Sequence, residues 1–187
     1  MRKVIMFNMI TLDGYFEGEK KWDIEWHRAD QEFDEFSIEQ LKYVGGIIFG
    51  KTTYEGMASF WQSPSAFESD PVVAELMNAL PKFVFSKTLE KAEWNNSFLV
   101  NGDAVKELIE IKRQPGGDLF IFGSAELSSA FIMNGLIDEF RLMVNPIVLG
   151  RGEPLFKEIG GNLKLKLIDV RTFNNGNVLL SYIPDGQ

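Results

Sequence analysis

The sequence predicts a single α/β domain whose central sheet is mostly parallel and finishes in an antiparallel hairpin. Short, continuously apolar runs alternate with segments of helical periodicity, the pattern of a parallel sheet covered by helices on both faces. Near the C-terminus the alternation gives way to consecutive strand-like segments, two of them joined across Asn174-Asn175-Gly176-Asn177, a turn that favours a hairpin. The 187 residues suit one core, and an apolar fraction of 45% is enough to fill it, so intrinsic disorder is excluded.

The first strand is expected over 3–9, apolar at nearly every position, and is broken by Thr11-Leu12-Asp13-Gly14. A helix over 29–44 follows, with Phe33, Phe36, Leu41 and Val44 on one face, and Gly45-Gly46 is read as its stop. Strand 47–49 ends at Gly50, and 53–61 continues as a helix carrying Tyr54, Met57 and Trp61 on one side. Asp70-Pro71 supplies an N-cap and a first-turn proline for a helix to residue 80, ahead of strand 83–86. Strand 98–100, helix 103–112, the breaker Pro115-Gly116-Gly117 and strand 119–122 come next. Gly123-Ser124 is a tight junction into helix 125–134, which Gly135 stops. Strands over 140–145, 163–173 and 178–183 complete the chain.

Composition excludes several chemistries. The chain has no cysteine, which removes disulfides, thiolate metal sites and cysteine nucleophiles. His27 is the single histidine, so no histidine-based zinc site or complete Ser-His-Asp triad can form, and no metal is expected. A net charge of -8 opposes broad binding to nucleic acid or anionic membrane. No apolar run approaches membrane-spanning length, and the protein is expected to be soluble and cytoplasmic.

Ligands of open α/β sheets bind at the carboxyl ends of the strands. Three such junctions combine glycine or hydroxyl residues with helix starts or cations: Gly50-Lys51-Thr52-Thr53, Ser86-Lys87-Thr88 and Gly123-Ser124-Ala125-Glu126. Taken singly, each is ordinary capping chemistry. Taken together, two lysines beside unpaired helix-start amides suit a phosphate-rich ligand. The G-x-G-x-x-G fingerprint and the phosphate loop G-x-x-x-x-G-K-[ST] are both missing.

These junctions, with Thr11-Leu12-Asp13-Gly14-Tyr15-Phe16, Phe83-Val84-Phe85-Ser86-Lys87, Ile121-Phe122-Gly123-Ser124 and residues 144–152 (VNPIVLGRG), occur in one order over nearly the whole chain. The sequence thereby resembles the dihydrofolate-reductase-like superfamily, and most closely the reductase domain of the bifunctional riboflavin-biosynthesis deaminase/reductase and its stand-alone relatives. The resemblance implies a three-layer α/β/α domain that binds NADPH and transfers hydride to a small heterocycle, as in the reduction of 5-amino-6-(5-phosphoribosylamino)uracil. A dihydrofolate or pterin reductase, or a catalytically silent nucleotide-binding dimeric scaffold, are the alternatives.

Carried onto this chain, the resemblance gives Gly50, Lys51, Thr52 and Thr53 to the pyrophosphate, with Lys51 where relatives commonly have arginine. Ser86 and Lys87 would meet the 2′-phosphate, and Gly123, Ser124, Ala125, Glu126 and Leu127 would wrap the pyrophosphate through backbone amides. Leu12, Asp13, Tyr15 and Phe16 would lie over the nicotinamide and substrate, with Asp13 alternatively only a turn stabiliser. Arg151 would meet a substrate phosphate, solvent or a dimer contact. Asp13, Glu55 and ordered water are the candidate proton donors. A homodimer packing across 140–144 is expected from the same relatives. Dihydrofolate reductases hold the pterin with an acid on the first helix; Asp30 and Asp34 lie on that segment and read as solvated helix residues. The aromatic group Trp22, Trp26, Phe33 and Phe36 reads as core packing, with the wall of a pocket for a flat ring as the alternative.

Overall fold

The structure, a computed structural model, is described for residues 1–123, 125–157 and 159–186. Ten strands and six helices follow one another as β1 (Val4–Thr11), β2 (Tyr15–Glu17), α1 (Gln31–Lys42), β3 (Val44–Gly50), α2 (Lys51–Trp61), α3 (Pro64–Ser69), α4 (Pro71–Ala79), β4 (Lys82–Phe85), β5 (Ser97–Val100), α5 (Ala104–Arg113), β6 (Asp118–Phe122), α6 (Ala125–Met133), β7 (Glu139–Asn145), β8 (Glu153–Pro154), β9 (Leu165–Thr172) and β10 (Val178–Pro184). Eight strands form the main sheet in the order β5-β4-β3-β6-β1-β7-β10-β9, and β2 pairs with β8 in a separate two-stranded piece. The strands from β5 through β7 are mutually parallel, while β10 runs antiparallel to both of its neighbours. The expected mostly parallel sheet with a closing hairpin is the architecture observed.

The continuous apolar runs are explained by burial on both faces. Val4 and Met6 of β1 join one core with Leu108, Phe131 and Ile137, whereas Ile5 joins the other with Phe49, Tyr54 and Met77. Phe120 is 1% exposed between Leu119 and Ile121, which face the opposite side. Burying an aromatic or branched side chain of this kind contributes roughly 1.5–3 kcal/mol, which ties β1, β3 and β6 rigidly together beneath the turns at their ends.

Several boundaries differ from the sequence reading. The first helix stops at Lys42, and Gly45-Gly46 belongs to β3, in which the register against β6 shifts between Val44 and Gly46. The glycines serve close backbone packing there: a β-carbon on Gly45 would lie 2.6 Å from both N and O of Gly117. Helix α2 begins at Lys51 directly from Gly50. Helix α3, with Ser63 accepting from Ala66 N at 3.3 Å, and the short β2–β8 pair are additional elements, too brief to show periodicity. β7, which carries the residues 140–144 expected at a dimer contact, lies between β1 and β10, with Phe140 and Met143 at most 1% exposed. The edges of the sheet are β5 and β9.

Asp70 was expected to cap α4 through its carboxylate, but its side chain makes no capping bond. Lys82 is fully buried: its ammonium donates to Asn78 O at 3.1 Å, Leu80 O at 2.8 Å and Asn95 O at 3.0 Å, and lies 4.3 Å from the Trp94 ring centroid. Among the described residues, no helix is long and apolar enough to cross a membrane.

Candidate active site

Because β4, β3, β6, β1 and β7 are parallel, their carboxyl ends share one edge of the sheet. The chain reverses its direction of strand addition at β6 and β1, which is where ligands of such sheets bind. A cleft of about 1260 Å³ opens there, lined on its floor by Phe7, Asn8, Phe122 and Gly123 and on one wall by Thr52 and Thr53.

The α2 and α6 starts meet inside this cleft. Gly123 adopts φ +62°, and a β-carbon on it would sit 3.1 Å from Thr53 Oγ1 and 3.2 Å from Thr53 Cγ2. With its amide turned to satisfy both ends, Asn8 accepts from Gly123 N at 3.3 Å and donates to Phe7 O at 3.1 Å. Ser128 Oγ donates to Gly123 O at 3.3 Å, which fixes the turn from the helix side. Ala125 and Glu126 line the cleft, while the Leu127 side chain packs into the core below. Ser124 lies outside the described residues.

Lys51 leans from the first turn of α2 toward the turn after β4: its Nζ is 3.4 Å from Thr88 Oγ1 and 4.0 Å from Glu55 Oε1. Ser86 Oγ accepts from the amides of Thr88 at 3.2 Å and Leu89 at 3.0 Å, leaving its own proton to donate, and Lys87 beside it is exposed. Gly50, Lys51, Ser86 and Lys87 thus stand on two adjacent strand ends, and none of the four is among the described residues lining the cleft.

Neither candidate proton-donor side chain is among the described residues lining the cleft. Glu55 is exposed beside Lys51 and is not among the described residues lining the cleft. Asp13 accepts from Thr11 Oγ1 at 2.7 Å, Leu149 N at 3.3 Å and Gly150 N at 2.7 Å. The Thr11 hydroxyl first, and the Gly150 and Leu149 amides, hold its carboxyl below the usual range, so Asp13 is an ionised staple between the turns after β1 and β7. Leu12 is exposed and Tyr15 pairs with Pro154, and neither lines the cleft; Phe16 does. Arg151 lines its rim, 3.5 Å from Glu19.

Other groups in the cleft escaped the sequence reading. Asp34 is half-buried in the cleft lining, beside Asp70. Burial, then the charge of Asp70, raises Asp34, and burial raises Asp70. Asp30 is the α1 N-cap, accepting from Phe33 N at 3.0 Å. Of the aromatic group, Phe36 is core against Phe7 and Phe173, and Trp26 packs on His27, but Trp22 and Phe33 line the cleft.

His27 also lines the cleft, and its Nε2 is buried with no hydrogen-bond partner among the described residues. Burial pushes its pKa down to about 4 from 6.5. A base depressed in the folded state contributes stability that is complete above pH 6.5 and lost as pH falls through about 4. We expect about 3 kcal/mol of acid destabilisation over that window to disappear in His27→Gln, checked by urea midpoints measured at several pH values.

The fold and the cleft can be set against known proteins. A family described as the RibD C-terminal domain matches residues 2–179. The uncharacterized protein YyaP of Bacillus subtilis (strain 168) is 31% identical over 183 residues, covering 97% of this chain and 94% of that protein. A putative riboflavin biosynthesis protein from Shewanella sp. PV-4 superposes with a TM-score of 0.77 at 24% identity, covering 98% of this chain and 99% of that one. Dihydrofolate reductase from Enterococcus faecalis, solved with NADP(H), superposes with a TM-score of 0.63 at 12% identity over 98% of this chain and 96% of that one, so the architecture is dihydrofolate-reductase-like. With its five motifs set along one sheet edge and the family match spanning nearly all of its length, the chain belongs to the RibD C-terminal domain family.

Proposed function

We propose that this protein is an NADPH-dependent reductase of a small heterocyclic substrate. The observation that carries the reading is the meeting of Gly123 and Thr53: two helix starts from different strands converge at one end of the cleft, packed so closely that a β-carbon on Gly123 would sit 3.1 Å from Thr53 Oγ1. The amides of α2 with Thr52 and Thr53, and those of Gly123, Ala125 and Glu126, would hold the pyrophosphate. Lys51, Ser86 and Lys87 would take the 2′-phosphate, with lysine acting as a point charge where arginine would form a fork. Bound there, the cofactor would supply the hydride.

The chain's own residues align the acceptor, exclude water and hold a proton. The acids placed to hold a proton in the cleft are Asp34 and Asp70, because both line it and burial raises both, whereas neither Asp13 nor Glu55 is among the described residues lining it. For self-association, the reading assigns the β9 edge, where Leu167, Ile168 and Val170 are about half exposed, in place of interior β7; sedimentation velocity on an Ile168→Lys variant checks it.

Thermal melts test the cofactor assignment. At a hundredfold excess over Kd, NADPH should raise the melting temperature by roughly 5–10 °C. Lys51→Ala/Lys87→Ala should weaken NADPH at least ~10-fold, and NADH less, since the lost cations face the 2′-phosphate. An unchanged melting point in millimolar NADPH would remove the reading.

A further inference from the structure

Between β2 and α1 the chain forms neither helix nor strand, yet Ile24, His27 and Ala29 from this segment line the cleft. No sheet partner holds residues 27–29, so their backbone groups need other partners. Two asparagines, each 0% exposed, supply them. Asn145, the last residue of β7, accepts from Arg28 N at 3.0 Å through Oδ1, while its Nδ2 donates to Met143 O at 3.2 Å and Ile10 O at 3.4 Å. Asn177, at the end of the turn between β9 and β10, donates from Nδ2 to Arg28 O at 2.9 Å, and Asn175 Nδ2 adds a second donor at 3.2 Å. The same turn is fastened to α1, where Asn174 N donates to Glu32 Oε2 at 2.9 Å. The Arg28 side chain is exposed, so the grip is on its backbone.

The clamp lies between two uncommon neighbours. His27 Nε2 and Asn177 Oδ1 are both buried side-chain atoms with no hydrogen-bond partner among the described residues. An unpaired buried polar atom costs free energy, and two of them beside one clamped residue are a local cost that packing alone does not require. His27 is fixed further by its amide, which donates to Ile24 O at 2.9 Å, and by the Trp26 ring, nearly perpendicular to the imidazole with centroids 4.4 Å apart. Its ring nitrogen is thus held in the wall, out of water.

We propose that Asn145 and Asn177 are positioning residues of the candidate active site: by gripping Arg28 at its N–H and its C=O, they hold the adjacent His27 and Ala29 in the cleft wall and keep the imidazole buried. The inference goes beyond the reductase reading and stands without it, because the clamp shapes the wall whichever ligand enters. It gives the hairpin turn a task at the cleft besides reversing the strands.

His27 is the chain's single histidine, so its ring protons give one assignable NMR signal. In the full-length wild type that signal should titrate with a midpoint at about 4, as burial dictates, and not at 6.5. Asn145→Ala and Asn177→Ala should each raise the midpoint by at least ~1 pH unit as the wall opens to water. Asn175→Ala removes the longer of the two bonds to Arg28 O and should raise it by less, between about 0.3 and 1 unit. Arg28→Ala keeps the backbone grip and should leave it within about 0.3 unit. Leu108→Ala, which opens a cavity in the core beneath α5, is the control: it should lower the melting temperature at least as far and leave the midpoint at about 4. Circular dichroism establishes which variants are folded, and Asn175→Ala carries the test if neither buried asparagine can be replaced. A midpoint that stays at about 4 in the folded clamp variants, or that moves equally in Arg28→Ala or Leu108→Ala, would overturn the proposal, as would a wild-type midpoint at 6.5.

Discussion

Gly123→Val is expected to lower NADPH affinity at least ~100-fold, equivalent to about 2.7 kcal/mol, and to lower turnover with it. Two effects combine at this residue. Its φ of +62° strains any branched side chain, and the β-carbon alone would press to within 3.1 Å of Thr53 Oγ1. Valine adds two methyl groups in a space already closed, so the first turn of α2 must move away from the turn after β6. The amides of those two turns form the proposed pyrophosphate seat, and the displacement destroys the geometry that both sets need. The strain costs roughly 1–3 kcal/mol of stability, so the variant should still fold. A fluorescence titration with NADPH measures the affinity directly, and binding within threefold of wild type would contradict the assignment. Gly123→Ala should fall between the two.

Lys82→Met should be the most destabilising single change considered, at about 3 kcal/mol. Its ammonium is the donor for three carbonyls, at the end of α4, in the turn that follows and just before β5, and it lies over the Trp94 ring. Burial pushes its pKa down to about 8, yet the three acceptors keep the group in place. Methionine preserves most of the apolar stem, so the loss reports on the amine and on the acceptors it leaves without a donor. For a chain of this size the expected fall in melting temperature is roughly 6–12 °C, readable by calorimetry. NADPH affinity in the surviving folded protein should change little, because Lys82 stands at the amino end of β4, away from the cleft.

How far the sequence disclosed the site depended on how local the signal was. The junction at Gly50-Lys51 was legible because a buried strand, a glycine and a helix follow within a few residues, and the same holds for Phe122-Gly123. Asp70 was misleading for the opposite reason. Next to Pro71 it has the local signature of a capping residue, yet its carboxyl turns to Asp34, a partner fixed only by the packing of α1 on α4. Trp22 and Phe36 sit in one aromatic cluster of the sequence, but one faces the cleft and the other the core, because an irregular segment between β2 and α1 separates them. Asp13 was legible as a turn residue, but its hydrogen bonds from the amides of Leu149 and Gly150 reach it from the far end of the chain and leave no local signal. The β2–β8 pair is too short for any periodic signal.

The abutting glycines 45 and 117 set the two margins of the sheet apart. Where they touch, no side chain fits between backbones, so neither an insertion nor a bulkier residue can be taken up without prising β3 from β6. At the opposite margin the turns are joined by individual hydrogen bonds, such as Leu12 N to Ile147 O and Gly150 N to Asp13, rather than by abutting backbones. New ligand preferences in proteins of this kind should therefore arise by rebuilding the upper rim, while the lower one stays fixed as the keel that holds the strands in register.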